Sequence, residues 1–145
     1  MSEGWLLDTS VLSMLAPGTP ATEIADWMRA HTDRLFLSAV TVAEIEQGIC
    51  KLRRLGSSER AGRLTTWLET ILEDRGERVL AFDTTTARIA GAISDRATAL
   101  GRHPGFADVA IAATAARSDL TVLTRNTRHF APLGIAFADP LELLA

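Results

Sequence analysis

The stretch GWLLDTSVL, residues 4–12, sets the reading of the whole chain. Three large apolar residues, Trp5, Leu6 and Leu7, run into a carboxylate, Asp8, and two hydroxyl residues, Thr9 and Ser10. Apolar character resumes at once with Val11 and Leu12. A short apolar run of this kind reads as a buried strand. An acid at its end must be hydrogen-bonded, paired or met by a cation, because an isolated buried charge is costly.

Outward from this run, the same pattern recurs. Strands are predicted at Trp5–Leu7, Leu35–Leu37, Val79–Ala81, Leu120–Leu123 and Ile135–Phe137. A short helix at Ser10–Leu15 stops before PGTP (17–20), a turn signal. Residues 21–31 carry Ile24, Trp27 and Met28 at helical spacing, residues 42–53 carry Val42, Ile45, Ile49 and Leu52, and residues 58–75 carry Leu64, Trp67, Leu68, Ile71 and Leu72. Residues 84–100 and 106–117 are rich in alanine, a strong helix former. Asp83 is placed to cap the helix after the third strand. RHPG (102–105) separates two helices, and Asp139 with Pro140 reads as an N-cap followed by the first helical position. Strands alternating with helices require right-handed crossovers and a parallel sheet. The expected fold is a three-layer α/β domain spanning residues 1–145. In such sheets the site lies at the carboxyl ends of the strands. Asp8 stands at one such end, and TRN (124–126) follows another.

Bulk composition narrows the classes. A chain of 145 residues with 47% hydrophobic and 23% charged content suits one folded domain. No apolar run approaches the roughly 20 residues that cross a bilayer, and no secretory pattern opens the sequence. One cysteine, Cys50, allows no internal disulfide and fits a cytoplasmic location. Cys50 itself reads as a small packing residue on a helix. A net charge of −3 argues against a globally basic nucleic-acid binder. Between Lys51 and Arg63, however, five cations (Lys51, Arg53, Arg54, Arg60, Arg63) face one acid, Glu59. That segment reads either as a solvated helix face or as arginines that grip phosphate through paired donors.

Three carboxylates stand in apolar surroundings: Asp8, Glu44 in SAVTVAEIEQG (38–48), and Asp108 in GFADVAIAATAAR (105–117). Each has a structural alternative. Asp8 suits an N-cap. Glu44, three residues after Thr41, completes a T-x-x-E capping box. Asp108 suits the positive end of its helix, and Asn126 suits a cap for TRHF. All four fall at helix starts, and helix starts that follow parallel strands share one rim. Acids gathered there repel one another, which raises a pKa or calls for a cation. Hard oxygen ligands suit Mg²⁺ or Mn²⁺. The three histidines and one cysteine have no zinc spacing. No P-loop, dinucleotide fingerprint or nucleophile elbow is present. His103 and His129 read as surface-loop residues.

Taken in order, LLDTSVL, SAVTVAEIEQG, FADVAIAATA and VLTRNTRHF resemble the four motifs of PIN-domain ribonucleases, and of the VapC-type, FitB-like toxins in particular. The resemblance implies a five-stranded parallel sheet in order 3-2-1-4-5, with the crevice at the switch point beside Asp8 and Asn126. It implies that Asp8 and Asp108 are primary metal ligands, with Glu44 completing the shell directly or through water. The fourth position of the family's set, often aspartate, is Asn126 here; this departure removes a negative charge and weakens the case for a second tightly held metal, while an asparagine can still orient a water. Thr9, Ser10 and Thr124 would supply hydroxyl hydrogen bonds. His129 replaces an acid found in many relatives and receives no role. The implied activity is Mg²⁺- or Mn²⁺-dependent RNA hydrolysis leaving 5′-phosphate and 3′-hydroxyl ends. Arg125, Arg128, Lys51, Arg53 and Arg54 are the candidate RNA-binding cations. The implied partners are a second copy, forming a homodimer, and a small antitoxin whose helix covers an apolar groove; operator DNA is met only through that antitoxin. Trp27, Met28 and Trp67 are candidate groove residues, with core packing as the alternative.

Three other readings compete. A haloacid-dehalogenase-like phosphatase also ends its first strand with aspartate, but needs a second acid where Ser10 stands. A response-regulator receiver domain needs a lysine after its last strand, and Lys51 is the only lysine. A non-enzymatic domain would serve chiefly as half of a DNA-binding repressor complex.

Overall fold

A computed structural model describes residues 4–144. The strands are β1 (Trp5–Leu7), β2 (Leu35–Ser38), β3 (Val79–Leu80), β4 (Thr121–Leu123) and β5 (Phe137–Ala138). The helices are α1 (Thr9–Leu12), α2 (Glu23–Ala30), α3 (Ala39–Arg54), α4 (Ser58–Arg75), α5 (Thr84–Ala99), α6 (Phe106–Arg117) and α7 (Thr127–Phe130). All strand pairs are parallel, in the order β3-β2-β1-β4-β5. Trp5, Leu6 and Leu7 lie opposite Thr121, Val122 and Leu123, and Trp5 and Leu6 lie opposite Leu35 and Phe36.

The period of two along each strand divides the core. Leu6, Val122 and Phe36 face one side, where they meet Ala90, Ile93 and Ala97 of α5, Ile111 and Ala115 of α6, and Phe130 of α7. Leu7, Leu35, Leu37 and Leu123 face the other side, against Val11 and Leu12 of α1, Ile24 and Met28 of α2, and Trp67 and Ile71 of α4. The expected three-layer α/β arrangement and its 3-2-1-4-5 sheet are therefore present. Helix α6 is the most enclosed element, with every residue from Val109 to Ala115 buried. Alanine suits it there, being a strong helix former that needs little room. Helices α3 and α4 form a hairpin around Ile49, Ala61 and Leu68.

Several local expectations need correction. Helix α3 begins at Ala39, directly off β2, because the Ser38 hydroxyl accepts a hydrogen bond from the Val40 N–H at 3.1 Å. The Thr41–Glu44 capping box does not form: Thr41 is fully buried inside the helix, and Glu44 bonds elsewhere. The last strand is displaced to Phe137–Ala138 from the expected Ile135–Phe137. Gly134, at φ +71°, closes the preceding turn in a left-handed conformation. Ladder pairing starts at Phe137, while Ile135 packs onto the α5–α6 side. Cys50 is exposed rather than packed. Met28 is fully buried, so core packing is its role. Trp27 stacks on His31 with ring centroids 4.4 Å apart and meets Trp5 edge-on at 4.9 Å.

Candidate functional site

The chain builds β1, β2 and β3 to one side and then returns to place β4 and β5 on the other. The direction of winding reverses between β1 and β4, which is where open α/β sheets place ligands. Asp8 stands at this point. Its N–H donates to Leu123 O at 2.9 Å, tying it to the neighbouring strand. Its side chain caps α1, with Oδ1 accepting from Thr9 N at 2.9 Å. Oδ2 accepts from Ser10 Oγ at 2.9 Å and from Thr124 Oγ1 at 2.8 Å. Asp8 is only 5% exposed, so these donors offset its loss of water and fix its orientation. Ser10, standing where a dehalogenase-like phosphatase needs its second acid, serves Asp8 instead.

Glu44 lies one turn into α3. Its Oε1 accepts from Thr9 Oγ1 at 2.7 Å. Thr9 therefore touches both acids, through its N–H and through its hydroxyl. Asp108 sits in the first turn of α6, whose N-cap is Gly105 with no capping side chain. Its carboxyl is pushed above the usual aspartate range, first by burial and then by the negative charge of Asp8, with Glu44 adding to the effect. His129 opposes the shift, with Nδ1 3.4 Å from Asp108 Oδ2.

The side chain of Asn126 is exposed and makes no hydrogen bond among the described residues; its N–H donates to Thr124 Oγ1 at 2.9 Å. It occupies the N-cap of α7 without capping it. His129, expected in a surface loop, lies on α7 beside Asp108. The signal for it was available: three residues beyond Asn126 is one helical turn, which returns a side chain to the same rim.

The donor set consists of hard carboxylate oxygens at least partly withdrawn from water, with the charges of Asp8 and Glu44 acting on Asp108, and such a set fits a divalent cation. Among the described residues, no three acidic, histidine or cysteine side chains are already gathered as a metal cage. Mg²⁺ needs no such cage, since it is commonly held by one or two carboxylates and completes its shell with waters and substrate phosphates.

The cations distribute unevenly. Arg125 lies 3.8 Å from Asp139, and Arg53 donates to Thr65 Oγ1 at 2.8 Å. Lys51, Arg53 and Arg54 occupy the last turn of α3 and do not line the groove that runs along α3 from Glu44. That groove, about 630 Å³, is lined by Thr9, Glu44, Ile45, Arg60, Arg63 and Trp67 among others. Arg60 and Arg63, counted above only as part of a basic segment, thus share a wall with Glu44. Trp67 is a groove residue as well as a core one.

The profile of the PIN domain family matches residues 5–134. The chain is 33% identical to the VapC ribonuclease Y4jK of Sinorhizobium fredii, over 94% of this chain and 97% of that protein. It is 34% identical to Toxin FitB of Neisseria gonorrhoeae, over 93% of this chain and 96% of the toxin. Among solved structures, FitAB bound to an IR36 DNA fragment superposes with a TM-score of 0.79 at 32% identity, covering 94% of each chain.

Proposed function

The chain belongs to the PIN-domain family, in its VapC-type, FitB-like toxin branch, and from that premise we propose that it is a metal-dependent endoribonuclease neutralised by a cognate antitoxin protein. The observation that carries this reading is Asp8, buried at the switch point of the sheet and joined to Glu44 through Thr9, with the charges of both acids raising the proton affinity of Asp108.

When bound, a divalent cation, Mg²⁺ or Mn²⁺, supplies a water of lowered pKa and neutralises phosphodiester oxygens. Asp8 and Asp108 would hold it, with Glu44 completing the set directly or through water. Asp8 is prepared for this role. Of about four lone-pair sites on its carboxylate, three accept from Thr9, Ser10 and Thr124, and one remains on Oδ1. Glu44, tied to Thr9 through one oxygen, keeps the other for a water. His129 lies beside Asp108, with Nδ1 3.4 Å from Oδ2. Asn126 would orient a water; being neutral, it withholds a negative charge that would help to hold a second cation. Water attacks phosphorus in line while the bond to the 3′-oxygen breaks. One product keeps the 5′-phosphate, and the other gains a proton as a 3′-hydroxyl.

The same reading takes residues 1–145 as one domain and gives the protein a homodimer and a cytoplasmic location. Among the described residues no helix is long and apolar enough to cross a membrane. The groove with Ile45, Leu64 and Trp67 is the proposed seat of an antitoxin helix, and operator DNA would be reached through that partner. The solved relative in which FitAB is bound to DNA supports this arrangement.

Expression of wild type and Asp8→Asn without an antitoxin tests the enzyme. Growth arrest and new RNA 5′ ends should appear with wild type alone. Indistinguishable behaviour of the two, with Mg²⁺ and Mn²⁺ both supplied to purified protein, would leave only the repressor role.

A further inference from the structure

Asp108 lines a second, smaller recess of about 230 Å³ that Glu44 does not reach. Its walls are the α5–α6 connection, with Arg102, His103 and Gly105, and α7, with Arg128 and His129. Asp108 is the one acid on its lining. We propose that this recess binds the phosphate next to the scissile one along the RNA strand, with Arg102 and Arg128 as its principal ligands. The inference rests on the nuclease reading and adds to it a phosphate subsite.

Charge is the first argument. Among the described residues, Arg29, Arg117 and Arg125 each lie within 4 Å of a carboxylate, at 3.5, 3.5 and 3.8 Å. Arg102 and Arg128 have no ion pair and no side-chain hydrogen bond among those residues, although they line a concave surface next to an acid. Two arginines against one aspartate leave the recess positive in a chain of net charge −3. Acids at the reaction centre repel RNA, so the strand must be held by cations close to it. Guanidinium groups grip phosphate through two parallel donors.

Rigidity is the second argument. Gly101, at φ +77°, ends α5 in a left-handed conformation. Its N–H donates to Thr98 O at 2.9 Å, and the Arg102 N–H donates to Ala97 O at 2.9 Å. These two bonds form a Schellman motif, which fixes the backbone of Arg102. Gly105 then starts α6 with no side chain on its first-turn donors, so open N–H groups back the same wall. On the facing wall, fully buried Phe130 anchors α7 and with it Arg128. Size is the third argument: at about 230 Å³ the recess falls below the range typical of small-molecule pockets, and it suits a phosphate with its waters better than a nucleoside.

The test is the double variant Arg102→Gln/Arg128→Gln; both side chains are exposed, and circular dichroism verifies the fold. With a single-stranded RNA oligonucleotide, KM should rise about tenfold or more while kcat changes little. With bis(p-nitrophenyl) phosphate, which has no second phosphate, both constants should stay at wild-type values. Equal effects on the two substrates, or none on RNA, would overturn the subsite. A binding arm is independent of cleavage. The slope of log affinity against log salt for RNA should fall by about 0.7, the value for one single-strand phosphate contact. An unchanged slope overturns the proposal, as does a loss confined to duplex DNA. A neutral methylphosphonate beside the scissile position should weaken wild type and leave the double variant unaffected; equal weakening of both would refute the assignment. Should wild type cleave neither substrate, the nuclease reading fails by itself, and the salt slope still decides whether the recess takes phosphate.

Discussion

Thr124 shows how much of the site depends on single side chains. It is fully buried, its hydroxyl donates to Asp8, and the same oxygen accepts from the Asn126 N–H. Thr124→Val keeps the shape but removes both bonds. RNA cleavage should fall about 10–100-fold, the usual effect of removing a group that orients a ligand; Thr124→Ser, which keeps the hydroxyl, should restore most of it. Asp108 illustrates the opposite economy. Its carboxyl titrates above the usual aspartate range. The folded state therefore holds a proton that the unfolded state has already released. Stability is greatest below the unfolded value, near 3.9, declines as pH rises through the raised folded value, and stays reduced above it. Asp108→Asn should then be more heat-stable than wild type at pH 7 without divalent ions, with the gap closing below about pH 4, while losing cleavage. Thermal melts at the two pH values, on metal-free protein, give the comparison; a variant less stable at pH 7 would contradict the electrostatic account.

At the scale of elements, the rim is assembled from pieces that cannot stand alone. Helix α7 has four residues, far too few to be stable by itself. It is kept by Phe130 and by Leu133 just beyond, both fully buried against the α5–α6 side. Phe130→Ala should cost about 3–5 kcal/mol, measurable by urea unfolding. Because Arg128 and His129 ride on the same turn, cleavage of RNA should decline even under conditions where the variant remains folded. The strand elements were readable from their apolar runs, and their alternation places Leu6 and Leu7 on opposite faces. Helix starts were less readable. Ser38 and Thr41 are both competent caps by residue type, and the choice between them falls to β2, which runs to Ser38 and leaves no room for a loop.

For the molecule as a whole, the winding order decides the function. Asp8 and Asp108 are separated by most of the chain, and Asp8 comes within electrostatic reach of Asp108 because β1 lies between β2 and β4 while α6 leads into β4. The expected consequence is dependence on a divalent ion. Chelation with EDTA should abolish RNA cleavage, and Mg²⁺ or Mn²⁺ should restore it and raise the melting temperature, since a ligand that binds only the folded state stabilises it. Cleavage that persists in EDTA, or melting insensitive to both ions, would count against carboxylates as metal ligands.

The residues alone were enough for the five apolar runs, the intervening helices, the parallel sheet and a carboxylate, Asp8, buried at the end of β1. Each of these depends on local periodicity, or on the cost of a charge in apolar surroundings, and neither requires knowing which distant residue is near. Three-dimensional packing settled the rest. Glu44 bonds to Thr9 across 35 positions rather than to its own helix, His129 comes to Asp108, and Arg102 and Arg128 line one recess. Those pairings depend on the order of the strands and the anchoring of short helices, which no local pattern specifies, because hydrogen bonds and charges act through distance in space rather than separation along the chain.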